Sequence, residues 1–166
     1  AETLTGFKWI ANDALTALAE RNALFVFGYE EAIGFTVGEV VRDKDGIGAA
    51  LILCELVATL KQAGKTLLDR LEELHRETGC YVSSQRSTVF PGQEGSETMA
   101  KIMESLRQDP PSELAGIAVA AFRDYQVGLR TPAGGAPEPL TLPKSNVLVW
   151  ELEGGDRIIA RPSGTE

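Results

Sequence analysis

The segment RPSGTE, residues 161–166, brings together groups that can bind a phosphate. Arg161 offers a planar fork of N–H donors, and Ser163 and Thr165 add hydroxyl donors. Gly164 lets the backbone approach a ligand closely, so that successive N–H groups can form an anion-binding nest, and Pro162 reduces the entropy lost on ordering. Because these residue types are also common in turns, a solvated turn is the alternative interpretation.

Two adjacent carboxylates occur in FGYEEAIGF, residues 27–35. Glu30 and Glu31 follow an apolar run that predicts a buried strand, and Gly28 and Gly34 flank them. Ligands bind at the carboxyl ends of strands in open α/β sheets, and a carboxylate there can accept hydrogen bonds from two neighbouring sugar hydroxyls. The alternative is that both acids point to water.

Two other segments place a lysine where it could meet a ligand. Lys8 lies between Phe7 and Trp9, where it could supply a point charge to a phosphate or hydroxyl, or simply lie along the protein surface. Lys44 and Asp45 lead into a long predicted helix. Helix N-termini attract anions, but an aspartate at this position can also cap the helix itself.

Composition excludes several classes of protein. The net charge of −8 argues against nucleic acid or an anionic membrane as a partner, although an anion could bind in a locally basic pocket. His75 is the only histidine, so neither a Ser/His/Asp triad nor a histidine-based metal site can form. Cys54, expected to be a buried thiol, and Cys80 show no disulfide or metal spacing, which favours a reduced cytoplasmic location. We find no signal peptide and no run of the roughly 18 apolar residues that a membrane span needs.

The first half of the chain predicts a helix over 12–22, a buried strand over 23–27 and helices over 46–60 and 66–78. Thr66 and Asp69 have the spacing of a capping box, and Gly64 and Gly79 end the two later helices. The second half predicts strands over 81–90, 116–122, 146–152 and 156–160, and a helix that begins at Ser96 and stops before two prolines, 110 and 111. Residues 128–143 predict a mobile loop.

This order predicts an α/β protein with two domains. Residues 1–78 would form a partial α/β sandwich domain, and residues 79–166 a small α+β domain of the TBP-like type, with a hinge near Gly79. The start without methionine and the end within a loop predict that the chain is a piece of a longer protein.

The segments TLTGFKWI, GYEEAIGF, VRDKDG and RPSGTE, in this order, resemble the α-D-phosphohexomutase superfamily of phosphoglucomutases, phosphomannomutases and phosphopentomutase-like relatives. The resemblance implies four domains around one cleft, which carry in turn a phosphorylatable serine, a Mg²⁺ loop, a sugar-recognition loop and a phosphate-binding loop. Motifs like T-A-S-H-N-P and D-G-D-x-D-R, which mark the first two, do not occur here. The chain therefore resembles parts of domains 3 and 4, with domains 1 and 2 missing.

The resemblance also implies roles for individual residues. Lys8 matches a lysine near the reacting groups, as an acid/base or phosphate contact, and Lys44 and Asp45 match a loop near the cleft. Ala32 stands where many hexose-specific members have serine, a departure closer to the phosphopentomutase-like branch. The sugar-recognition loop would comprise Gly28, Glu30, Glu31 and Ala32, and the phosphate loop Arg161, Ser163, Gly164 and Thr165.

The implied reaction interconverts a sugar 1-phosphate and 6-phosphate through a phosphoserine and a bisphosphosugar. The full-length enzyme would need Mg²⁺, held outside this chain, and an activator of the glucose 1,6-bisphosphate type, and its partner would be the phosphosugar. The chain alone should be inactive. The alternatives are a non-catalytic module that binds a phosphorylated metabolite or another protein, and loops that serve only as structural turns.

Overall fold

The computed structural model describes residues 3–30 and 33–162. The chain divides into two compact units, Ala1–Arg86 and Ser87–Glu166. Helices and sheet occur in both, so the predicted α/β class is confirmed. The domain boundary proposed between residues 78 and 79 lies within the first unit and stays a prediction.

The first unit contains helix α1 (Phe7–Arg21), strands β1 (Phe27–Glu30) and β2 (Gly34–Val37), and helices α2 (Gly46–Gln62) and α3 (Leu67–Thr78). Helix α1 begins five residues before the predicted start at residue 12, because Gly6, at φ +126°, turns the chain into the helix. Its end is set by Asn22, which adopts a left-handed conformation and donates its N–H to the Leu18 carbonyl. Lys8 therefore lies in the first turn of a helix.

Strands β1 and β2 form an antiparallel hairpin in which Tyr29 pairs with Phe35 and Glu30 with Gly34. The prediction of a buried strand over 23–27 is wrong, because pairing begins only at Phe27, and Leu24, before it, is 79% exposed. Side chains alternate across the hairpin. The inner face is buried and consists of Gly28, Glu30, Gly34 and Thr36. The outer face consists of Phe27, Tyr29 and Phe35, which are exposed, and the ring of Phe27 stacks with each of the other two.

Local signals set the ends of α2 and α3 as predicted. Gly64 has φ +70° just beyond α2, and Thr66 and Asp69 form both bonds of a capping box at the start of α3. The expectation that Cys54 is a buried thiol is wrong, since this side chain is exposed on α2. It lies among exposed apolar residues such as Ile47 and Leu51, on a face that no described element of the unit covers.

The second unit contains α4 (Gly92–Gln108), β3 (Glu113–Leu114), β4 (Ile117–Asp124), β5 (Leu129–Pro132), β6 (Glu138–Pro139), β7 (Leu148–Leu152) and β8 (Arg157–Ala160). The strands pair antiparallel in the order β6-β5-β4-β7-β8, and β3 also pairs with β4. Met103 of α4 packs against Leu148, Trp150 and Leu152 of β7 to form the core. The predicted hairpin at Gly154-Gly155 joins β7 to β8.

Two predictions for this half are wrong. Residues 81–90 form no strand, because β-propensity needs a pairing partner, and Tyr81 and Val82 are exposed instead. Residues 128–143, predicted as a loop, contain β5 and β6, because β5 pairs with β4 over the register from Ala121–Pro132 to Asp124–Leu129. Helix α4 also begins at Gly92, four residues before Ser96, and ends before the prolines.

Within the described residues, no single helix is long and apolar enough to cross a membrane. Helices α2 and α3 satisfy that length and composition only when taken together, and they are bent by 94° at the break between them.

Candidate functional site

Glu30 is the centre of a polar cluster at the end of β1. Its side chain lies on the inner face of the hairpin, and the residue is only 8% exposed. Oε2 accepts a hydrogen bond from the backbone N–H of Gly6 at 2.8 Å, and Oε1 lies 2.8 Å from Nζ of Lys44. The alternative that this acid points to water is therefore wrong for Glu30, whereas Glu31 lies outside the described residues.

Lys44 reaches this carboxylate across the hairpin. Its ammonium lies 5.8 Å from the centroid of the Phe7 ring and donates a long hydrogen bond, 3.5 Å, to the carbonyl of Ile33. The side chain is 49% exposed, so one partner of the ion pair is buried and the other faces solvent. An ammonium with three donors can hold both contacts and still offer a donor to a ligand.

Two glycines of the hairpin allow helix α1 and the side chain of Lys44 to pack closely against it. A Cβ at Gly34 would lie 2.4 Å from Cε2 of Phe7 and 3.0 Å from Cε of Lys44. A Cβ at Gly28 would lie 2.8 Å from Cγ2 of Ile10, on α1. Ordinary carbon contacts are about 3.5–4.0 Å, so neither position tolerates a side chain without movement. Both glycines thus serve close packing within the protein, and the substrate-binding role of Gly28 stays a prediction.

Lys8 is exposed, and its Nζ lies 5.0 Å from the centroid of the Trp9 ring. Within the described part of the chain, its contact is with this indole and not with Glu30 or Lys44. This geometry is that of a lysine lying along an aromatic surface residue. The catalytic role implied by the resemblance stays a prediction.

Asp45 caps helix α2. Its Oδ1 accepts a hydrogen bond from the N–H of Gly48 at 2.8 Å, and its own N–H donates to the Phe35 carbonyl at 2.7 Å. The capping interpretation is therefore confirmed, and the same bonds fix Lys44, the preceding residue, beside the hairpin. A substrate-binding role for Asp45 stays a prediction.

The terminal loop is described only at its start. Arg161 follows β8 and is exposed, and Pro162 is half-buried. The other predicted phosphate-binding residues, Ser163, Gly164 and Thr165, lie outside the described residues, as does Ala32 of the predicted sugar-recognition loop. Their roles stay predictions.

Charge on the sheet of the second unit was not anticipated from the sequence. Arg130 and Arg123 both bind the carboxylate of Glu151, and Arg130 also binds Glu138 at 2.5 Å. Hydrogen bonds from Arg130, and secondarily from Arg123, hold the pKa of Glu151 below its ordinary value. Because two guanidinium groups face two carboxylates, the charges of the cluster balance. The cluster therefore stabilises the pairing of neighbouring strands and is not a site for an anion.

A metal site is not evident in the described residues, where no three His, Cys, Asp or Glu side chains are grouped to hold an ion. The partners of Glu30 are the main feature that sequence reasoning missed. The glycines at positions 6 and 34 were the available signal, because Gly6 adopts φ +126° and Gly34 lies where side chains approach the backbone at close range.

Comparison with known proteins gives a consistent family assignment. Residues 1–77 match the protein-family model described as "Phosphoglucomutase/phosphomannomutase, alpha/beta/alpha domain III". A probable phosphomannomutase of Haemophilus influenzae is 43% identical over 166 residues, which is 99% of this chain and 29% of that protein. A phosphoglucomutase of Staphylococcus haemolyticus is 39% identical over 99% of this chain and 30% of its own length.

A phosphoglucomutase of Staphylococcus aureus is 35% identical over the same share of this chain. The chain thus spans about 30% of the length of the relatives that it matches. No solved structure gives a significant match.

Proposed function

Because the chain belongs to the phosphoglucomutase/phosphomannomutase superfamily, we propose that it supplies sugar recognition and phosphate binding to an enzyme that interconverts a sugar 1-phosphate and 6-phosphate. In this proposal a phosphoserine elsewhere in the enzyme donates its phosphoryl group, and a bisphosphosugar forms as the intermediate. The observation that carries the proposal is the buried carboxylate of Glu30 at the end of β1, held beside the half-exposed ammonium of Lys44.

A neighbouring carboxylate and ammonium suit a sugar hydroxyl. The hydroxyl can donate to the carboxylate and accept from the ammonium at the same time, which a fully ionised phosphate cannot do because it has no O–H donor. A carboxylate has about four lone-pair positions, and the Gly6 N–H and the Lys44 ammonium use two of those of Glu30. The remaining ones are available to hydroxyls that approach beside the half-exposed ammonium of Lys44.

Phosphate recognition is assigned to the terminal loop and to Lys8. Arg161 is exposed and its guanidinium can form two parallel bonds to a phosphate, worth on the order of 1.5–3 kcal/mol for a charge-assisted contact. Ser163, Gly164 and Thr165 would add hydroxyl and backbone donors. These contacts would position the substrate, and catalysis of phosphoryl transfer depends largely on such positioning.

Mg²⁺ and a bisphosphosugar activator remain part of the proposal for the whole enzyme. The described residues do not include a group of acids suited to Mg²⁺, so we assign no residue of this chain to the ion and derive no step through it. A Mg²⁺ site would have to come from other parts of the enzyme.

The proposal is tested by separating binding from turnover. We expect no conversion of glucose 1-phosphate by the 166-residue chain, even with Mg²⁺ and a trace of glucose 1,6-bisphosphate. We expect weak binding of glucose 1-phosphate that shifts the NMR signals of Gly164 and of the residues around Lys44. Arg161→Gln should weaken this binding about tenfold, because it removes a charge-assisted contact, while Arg21→Gln, at the end of α1, should leave it unchanged.

Three outcomes would contradict the proposal. Turnover by the isolated chain above a buffer blank would show that the phosphoryl chemistry does not depend on other domains. Absence of any phosphosugar-induced shift at Gly164 and Lys44, with the chain folded, would favour purely structural loops. Binding of phosphorylated metabolites of every type with equal affinity would instead favour the non-catalytic module.

A further inference from the structure

Helix α1 begins without the usual local cap. Its N-cap residue is Gly6, which has no side chain to accept a hydrogen bond, and the first turn contains no acidic residue. The first N–H groups of a helix lack partners within the helix, and a negative charge near them is favourable because of the helix dipole. An acceptor from elsewhere in the chain would therefore stabilise the start of α1.

Glu30 provides that acceptor from 24 residues along the chain. Its Oε2 accepts the backbone N–H of Gly6 at 2.8 Å, which is the bond that the glutamate of a capping box makes from three residues along the helix. The same carboxylate pairs with Lys44 at 2.8 Å. One buried charge thus joins the start of α1, the end of β1 and the loop before α2.

We infer that Glu30 is a positioning residue, whose shared carboxylate fixes both the helix turn that carries Lys8 and the ammonium of Lys44. Loss of the carboxylate would free two segments at once. The consequence for ligand recognition rests on the proposed function, but the consequence for Gly6 and Lys44 does not. The inference can therefore fail or stand independently of the proposed function.

Glu30→Gln and Glu30→Ala separate the two contacts. The amide oxygen of Gln can still accept the N–H of Gly6 but cannot form an ion pair with Lys44. We expect hydrogen exchange of the Gly6 amide to stay within about threefold of wild type in Glu30→Gln and to become about tenfold faster in Glu30→Ala. Lys44→Met should leave the Gly6 amide protected, because Oε2 keeps its contact.

The ammonium of Lys44 gives a second signal. Lysine-selective NMR in cold, mildly acidic solution should show slowed exchange of this ammonium in the wild-type chain and loss of its signal in Glu30→Gln. Glu39→Gln, which neutralises an exposed acid just beyond β2, is the matched control and should change neither signal. The Gln and Met variants are close in size to the native residues, so the test remains decisive even if Glu30→Ala does not fold.

A ligand titration distinguishes positioning from a purely structural role. With the fold intact, a structural role predicts unchanged affinity for glucose 1-phosphate in Glu30→Gln. Positioning predicts an affinity about tenfold lower together with an altered shift of the Lys8 ammonium on binding, whereas loss of a direct contact between Glu30 and a hydroxyl would lower the affinity without that altered shift. If the wild-type chain does not bind glucose 1-phosphate, the proposed function fails while the ligand-free measurements still decide the inference. Equal Gly6 exchange in folded Glu30→Ala and wild type, or an unchanged Lys44 signal in Glu30→Gln, would overturn it.

Discussion

Gly34→Ala should destabilise the first unit although it adds only a methyl group. Gly34 is buried and its φ is not among the positive values, so the effect is steric and not conformational. The new Cβ would lie 2.4 Å from Cε2 of Phe7, more than 1 Å inside an ordinary carbon contact of about 3.5–4.0 Å. The stem of Lys44, at 3.0 Å, can move because it is half-exposed, but the ring of Phe7 is 4% exposed and cannot.

Overpacking of this kind costs about 1–3 kcal/mol, and the immobile ring favours a value of about 2 kcal/mol. For a unit of this size, that loss lowers the melting temperature by about 8–16 °C. Thermal unfolding followed by circular dichroism measures it directly. Gly46→Ala is the control, because a Cβ there meets nothing within 4 Å, and we expect no decrease in melting temperature.

A double-mutant cycle identifies the clash. Phe7→Leu removes the Cε2 atom, so Gly34→Ala should cost at least about 1 kcal/mol less in that background than in the wild type. If Gly34→Ala costs the same in both backgrounds, or melts within about 2 °C of the wild type, the close approach of the ring to the hairpin is not what requires glycine at this position.

Three further contacts can be tested by substitution. Asp45→Ala removes the N-cap of α2 and should lower the free energy of unfolding in urea by about 1 kcal/mol. Asp45→Asn keeps a capping oxygen and should retain most of this stability. Equal losses in the two variants would refute the capping role. The cation of Arg107 lies 3.3 Å from the nearly buried carboxylate of Asp124, and Arg107→Met removes that cation. The free energy of unfolding should fall by about 3 kcal/mol, and adding Asp124→Asn should restore part of this loss. No recovery in the double variant would contradict the pairing. The pKa of Glu151 is held below its ordinary value by Arg130, so its stabilising effect is full above the unfolded pKa of about 4.3 and is lost as the pH falls through the folded pKa. Glu151→Gln should therefore flatten the acid side of the pH dependence of the urea midpoint, and an unchanged slope would contradict this assignment.

Predictions from the sequence succeeded where the signal is local. Thr66 and Asp69 are three residues apart, and their capping box depends on nothing beyond that turn. The two prolines after α4 prevent its continuation wherever the rest of the chain lies. Strands depend on partners, which explains why residues 81–90 had the composition of a strand without forming one. It also explains why Leu129–Pro132, within the Pro- and Gly-rich segment 128–143, pairs with β4 nonetheless.

The sequence predicted Lys44 before a helix, which the structure confirms, but it placed Glu30 after a strand over 23–27, whereas Glu30 is the last residue of β1. The functional roles of both residues stay predictions. The sequence could not show that the carboxylate of Glu30 binds the N–H of Gly6, which is 24 residues away. Long-range contacts of this kind are set by the register of the hairpin against α1, and that register depends on packing at Gly28 and Gly34.

The contacts around Glu30 link four residues in series. The missing side chain of Gly34 admits the ring of Phe7 and the stem of Lys44, the head of Lys44 reaches Glu30, and Glu30 holds the N–H of Gly6 where α1 begins. Each contact restricts the next, so a methyl group at position 34 can disturb the helix start without touching a polar atom. A glycine with no functional group therefore belongs to the candidate site as much as the charged residues do.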